Sequence, residues 1–303
     1  MQQHYDFGAT LQASQKVNWQ IDDIIGGDNR LDFGRRFMPE SLARVEQLRF
    51  LDAEEKRILN QIRGHGYLYI FGLVEEFILP YVLDHARPGL ASDDVRTRAL
   101  LQFAGEEAKH IHLFKRFCEA FDEGFGTRCT MIGTPAEIAK VVLSHDPLSV
   151  ALLILHIEWM TQRHYLDSIK DDADLDPLFK SLLKHHWMEE AQHAKLDTLM
   201  VLELAKDRSP ESIGTAIDGY LALGGIFDGA LAQQTGFDLE TFSRASRRKL
   251  NEAEQGQFIQ AQHQAQRWTY LGSGMSHPNF LATVRAIAPG AEEKLAQLAP
   301  TFS

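Results

Sequence analysis

The chain has 303 residues, 44% of them hydrophobic, enough for one large helical domain or two small ones with a substantial core. Its formal net charge of −11, with no basic stripe to offset it, argues against nucleic acid as a partner. No apolar run is expected to reach the roughly 18 residues of a membrane span, the N-terminal MQQHYDFGAT lacks both parts of a secretory signal, and Cys118 and Cys129 form no metal-type doublet, so a cytoplasmic protein with no membrane partner is expected.

In chain order, Asp52 is placed to cap a long helix over 53–86, ended by Pro88-Gly89, with Gly64 and Gly66 expected to bend or break it. A second helix is predicted to follow Ser92 and run to about Phe121, stopped by Gly124 and Gly126. Thr134-Pro135-Ala136-Glu137 sets a cap, a first-turn proline and a box glutamate in order and predicts a short helix. Asp146-Pro147 opens a third long helix to about Lys170, and Asp176-Pro177 a fourth to about Lys206. The connection over 124–146 is far longer than the other two, which predicts two antiparallel hairpins joined by one crossover. Beyond them, helix starts are expected near Ser209-Pro210 and Phe237-Asp238, and Arg244, Arg247, Arg248 and Lys249 read as a solvated helix face. The expectation is an all-α fold: one domain over 1–303, with a four-helix bundle at about 53–206 and a helical extension over 207–303.

The chemistry lies in two Glu-x-x-His matches, Glu107-Ala-Lys-His110 and Glu190-Ala-Gln-His193. Residues three apart share a helix face, so each match offers a carboxylate and an imidazole to one point. With 21 glutamates and 13 histidines, roughly one such match arises by chance. The spacing adds what the motif lacks. The two matches are 83 residues apart, and Glu75 and Glu158, on the first and third long helices, are also 83 apart. Each precedes its Glu-x-x-His glutamate by 32 residues, so the chain reads as two copies of one hairpin. Folded as a bundle, the copies bring four carboxylates and two imidazoles inward, the ligand set of dimetal carboxylate bundles. Glu75 and Glu158 lie in apolar sequence, where an unpaired carboxylate costs at least on the order of 2–7 kcal/mol, a cost that a metal cation removes. Glu76 is the rival to Glu75, and only the 83-residue phase favours Glu75.

These residues resemble the ferritin-like di-iron carboxylate superfamily, over about 53–206. His186, four residues before Glu190 and seven before His193, adds a third histidine to one face, whereas the place 83 residues earlier holds Phe103. The pattern His-x-x-x-Glu-x-x-His is similar to that of the arylamine N-oxygenases acting on aminobenzoate-type amines; for His186 itself, a packing role is the alternative. Glu106 and Glu189 each precede a Glu-x-x-His glutamate, where related monooxygenases often carry an Asp bonded to a ligand histidine, and surface acids are the alternative reading. The tyrosine that radical-generating reductase subunits carry four residues past the helix-two histidine is replaced by Phe114. The resemblance implies two iron ions, or an iron–manganese pair, that activate O2 to oxidise a small organic substrate. Electrons would come from a separate donor, since no dinucleotide fingerprint follows a strand; Trp159 and Trp187 are either relays or core. A homodimer is compatible with this reading. The competing readings are a metal-binding or oxygen-sensing protein without turnover, iron storage, and a bundle that has kept the pattern without metal. His185 is expected to be exposed and Cys118 to fill core.

Overall fold

The computed structural model describes residues 5–92 and 94–302. The first four residues of the segment read above for a secretory signal lie outside the described residues. A short N-terminal run, α1 (Phe7–Ser14), α2 (Ile21–Ile24) and α3 (Glu40–Ala43), leads into the bundle. The bundle helices are α4 (Ala53–Ala86), α5 (Val95–Phe125), α7 (Pro147–His164) and α8 (Pro177–Ala205), with α6 (Pro135–Val142) on the crossover between α5 and α7. Then come α9 (Pro210–Ser246), α10 (Glu252–Arg267), α11 (Ser273–Met275), α12 (Pro278–Ile287) and α13 (Ala291–Leu298). Among the described residues there is no strand, only an isolated bridge between Arg36 and Leu175.

Caps set the ends of the long helices. Asp52 accepts from the Glu55 amide and Glu55 returns the bond to the Asp52 amide, a full capping box. Asp94 caps α5 by accepting from the Thr97 amide at 2.7 Å. Asp146 and Asp176 cap α7 and α8, each followed by a first-turn proline. α4 packs along α5 and α7 along α8, and α9 crosses the outer side of α4 and α7. This is the ferritin-like plan with added C-terminal helices.

Several expectations are corrected. α4 is unbroken at Gly64 and Gly66. A Cβ at Gly64 would come within 2.7 Å of Phe37 Cβ, so this glycine admits a neighbouring ring rather than ending a helix. α5 runs on to Phe125, because Gly124 makes room for Phe33 inside the helix and the stop is Gly126, at φ 73°. No helix starts at Phe237-Asp238: α9 is continuous there, and Asp238 is buried 3.8 Å from the equally buried Arg63 of α4. The basic cluster after α9 is not simply solvated, since Arg248 pairs with Glu55 at 2.7 Å and Glu254 at 2.6 Å. α4 also contains a stretch apolar and long enough to cross a membrane by composition, with 67% of it buried in the fold, which is how a core helix reads.

Candidate metal centre

The inner face of the bundle carries Glu75 from α4, Glu107 and His110 from α5, Glu158 from α7, and His186, Glu190 and His193 from α8. All seven are buried, none more than 3% exposed. Their atoms form two overlapping groups, each with donor atoms within 4.8 Å of one another: Glu75, His110, His186 and Glu190 in one, Glu107, His110, Glu190 and His193 in the other. Glu190 Oε1 is the hub, 3.0 Å from His186 Nε2, 3.1 Å from His110 Nδ1 and 3.3 Å from His193 Nδ1. Glu75 Oε1 is 3.0 Å from His186 Nε2, and Glu107 Oε1 is 2.9 Å from His193 Nδ1. Glu158 belongs to neither group but reaches Glu190 through a hydrogen bond. Glu76 points elsewhere, into an ion pair with Lys115 at 2.8 Å.

The donor set fits a pair of metal ions. Among the described residues, Glu75 Oε2, both Glu107 oxygens, Glu158 Oε2, Glu190 Oε1 and the Nδ1 atoms of His110 and His193 are buried without a hydrogen-bond partner. Buried polar atoms are normally satisfied, so this concentration of unmet acceptors asks for a cation. The Glu107–His193, Glu190–His110 and Glu190–His193 approaches are close without hydrogen-bond alignment. Their lengths suit neighbouring ligands of one ion, since donors about 2.1 Å from an octahedral metal sit about 3 Å apart.

The protein groups alone make this cluster electrostatically tense. Burial, then the Glu107 charge, pushes Glu75 up to about 8. Burial and the Glu190 charge raise Glu158 well above the usual carboxylate range. Burial opposes charge on His110 and His193 as well, but the carboxylates around them outweigh it and raise both. Protons thus gather where cations would bind.

The outer nitrogens are held by acids from the opposite hairpin. His110 Nε2 is 2.7 Å from Glu189 of α8, and His193 Nε2 is 2.9 Å from Glu106 of α5. If these imidazoles bind metal through Nδ1, both bonds fix the tautomer that leaves Nδ1 free. Glu189 is also salt-bridged to Lys109, whose ammonium lies 3.8 Å from the ring centre of Trp19. Trp19 stacks parallel to His110 with 6.0 Å between centroids. Glu106 accepts further bonds from Ser14 (2.5 Å) and Gln102 (2.9 Å). Of these helpers, Gln102 is one turn before Glu106 and visible from spacing; Ser14 and Trp19 come from a segment with no local signal. Asp197, one turn past His193, was also missed: it is buried, and its Oδ2 has no partner among the described residues. His185 is half-buried rather than exposed, with its ring edge against Trp19. Trp159 stacks on His277 and Trp187 on Tyr165, while Cys118 is partly buried against the core. An apolar cavity of about 210 Å³ lies between α4, α6, α7 and α9. It is lined by Val74 and Ile157, the residues preceding Glu75 and Glu158, and so opens on an adjoining face of each helix.

A ferritin-like bundle with this buried carboxylate and imidazole cluster defines a class, the ferritin-like dimetal oxidoreductases. Within it, the profile of p-aminobenzoate N-oxygenase AurF matches residues 9–212, and the chain belongs to that family. No curated protein matches the sequence. Solved structures similar to this chain include variants of R2-like ligand-binding oxidase. One with an anaerobically reconstituted Mn/Fe cofactor is 15% identical, with a TM-score of 0.47 over 88% of this chain and 94% of that chain. Another with an aerobically reconstituted Fe/Fe cofactor is 16% identical, with a TM-score of 0.46 over 87% and 92%.

Proposed function

We propose that the chain is an oxygenase that would hold two irons, or an iron and a manganese, with seven side chains: Glu75 and His186 in one donor group, Glu107 and His193 in the other, His110 and Glu190 in both, and Glu158 beside Glu190. The observation that carries this reading is the pair of overlapping four-donor groups whose buried inward atoms lack other partners. Carboxylates and imidazoles are hard-to-borderline donors that suit iron and manganese. When bound, the pair supplies dioxygen activation and the oxidising power for a small organic substrate. The protein's own residues orient the donors through Glu106 and Glu189 and exclude water with Phe71, Phe103 and Phe114. Phe103 stacks on His193 at 4.1 Å, and Phe71 and Phe114 flank His186 at 5.6 and 5.0 Å. Family membership favours an aromatic amine as substrate, with electrons from a separate donor. We read 1–303 as one domain, because α9 packs on the bundle helices α4 and α7. The two free thiols fit the cytoplasm.

The test is metal content. Purified protein loaded with iron should hold two ions per chain, and Glu107→Ala or Glu190→Ala should lose most of that metal. One ion per chain, bound by two histidines and one carboxylate, would sink the paired site.

A further inference from the structure

Tyr67 and His164 meet in the core between α4 and the end of α7, outside the donor cluster. The Tyr67 hydroxyl lies 2.8 Å from His164 Nδ1, and His164 Nε2 lies 2.8 Å from Ser273 Oγ. Ser273 Oγ in turn donates to the Thr269 carbonyl at 2.9 Å. That last bond settles the direction of the others. A serine hydroxyl has one proton and a carbonyl only accepts, so Ser273 Oγ must accept from His164 Nε2–H. Nδ1 is then the lone-pair nitrogen, and the phenol donates to it. Burial holds the His164 imidazolium down to about 3 and the phenol well above its usual value, so both groups are neutral at rest.

The backbone on either side is unusual. A π-helical turn, Tyr165–Ile169, begins immediately after His164, and another, Trp268–Gly272, ends immediately before Ser273. Such turns are rare and occur frequently at functional sites. From Tyr67, ring contacts lead to the donor cluster. Its ring meets Phe71 edge-on at 4.6 Å, Phe71 meets His186 at 5.6 Å, and His186 Nε2 is 3.0 Å from both Glu75 and Glu190.

We propose that Tyr67 is a one-electron donor to the dimetal centre, with His164 as its proton acceptor, an inference that rests on the dimetal reading above. The oxidant is the metal pair after its reaction with O2. It gains one electron and Tyr67 loses one; the phenol O–H bond breaks and its proton moves to His164 Nδ1. The products are a neutral tyrosyl radical and an imidazolium whose Nε2–H stays on Ser273. An oxidised phenol is a far stronger acid than an imidazolium, so the transfer runs downhill even to a histidine of low basicity. Reduction by the external donor reverses both movements. The pair takes up an oxidising equivalent that finds no substrate and moves it off the ligands.

The experiment freeze-quenches the reduced, iron-loaded protein after exposure to O2 without substrate and records its electron paramagnetic resonance. Iron content and O2 uptake are measured on the same samples. An organic radical is expected whose signal narrows with ring-deuterated tyrosine and carries a coupling lost in D2O, from the proton shared with His164. Tyr67→Phe should abolish it, and Tyr270→Phe, altering a ring 6.0 Å from Tyr67, should not. His164→Phe should remove the D2O-sensitive coupling and decide the matter should Tyr67→Phe fail to fold. Protein that binds two irons and consumes O2 but forms no tyrosine-derived radical overturns this proposal and leaves the dimetal reading standing. So does a radical that survives Tyr67→Phe. Protein that binds no iron overturns both.

Discussion

Replacing Glu189 with glutamine tests whether the cluster is held from behind as the geometry implies. Glu189 is fully buried, its Oε2 is 2.7 Å from His110 Nε2, and its other oxygen is salt-bridged to Lys109. Glutamine keeps the shape but loses the charge that holds the His110 N–H and answers the Lys109 ammonium. Such outer partners of a metal-bound histidine are worth about 10–100-fold in metal affinity, or about 1.4–2.7 kcal/mol. Losing a charged hydrogen bond costs about 1.5–3 kcal/mol of stability, which in a chain of this size lowers Tm by about 2–5 °C. The assay is chelator competition for two sequential binding steps, with calorimetric melting alongside. Because the partners cross between hairpins, Glu189→Gln should weaken the ion held by His110. Glu106→Gln should weaken the one held by His193. Two unchanged binding steps, or equal loss at both steps in both variants, would refute the idea that each acid holds one histidine.

Four further outcomes are expected. His186→Phe, which copies Phe103 of the first hairpin, should keep two irons and bring their Mössbauer parameters closer together; unchanged spectra and oxygen kinetics would make His186 packing only. Glu75→Ala should lower metal content while Glu76→Ala changes stability within about 0.5 kcal/mol, and the opposite pattern in elemental analysis would reverse the assignment. Stripping metal should leave a folded bundle with a lower Tm, by linkage about 4 kcal/mol less stable than at a thousand times the metal Kd; identical melting curves count against a buried site. Metal affinity should fall as pH drops, because neighbouring carboxylates raise the pKa of His110 and His193 against the effect of burial, and protons then compete for the same nitrogens; titrations at several pH values measure it, and a pH-independent Kd would contradict it.

Three of the four long helices could be read closely from the sequence because their starts are written locally, as an aspartate cap followed by proline or a box glutamate. The same kind of signal misled at Phe237-Asp238. There the aspartate faces Arg63 across the core, a contact between residues 175 positions apart that no local pattern encodes. Glycines misled for a related reason. Gly64 and Gly124 look like helix breakers, yet each gives up its side chain so that Phe37 or Phe33 can approach. The 83-residue phase singled out residues that the fold places on one inner face. It could not supply Ser14 or Trp19, which reach the cluster from outside both hairpins. Nor could it show that Glu106 and Glu189 each serve the histidine of the other hairpin.

The departures from the repeat lie along α8. His186 stands where the first hairpin has Phe103, and Asp197 where it has Phe114. The two phenylalanines are not idle replacements, since Phe103 stacks on His193 and Phe114 meets His186 edge-on. Across the bundle, a ring on α5 therefore backs a histidine on α8. Polar atoms and apolar rings are divided between two helices that a strict repeat would make alike. One end of the cluster gains an imidazole and the other a buried carboxylate with an unmet oxygen. Two ions in such a site would have unequal donors even though six of the seven proposed ligands obey the repeat in register. The duplicated hairpin supplies the capacity for two metals, and the unpaired substitutions on α8 supply the means to make them chemically distinct.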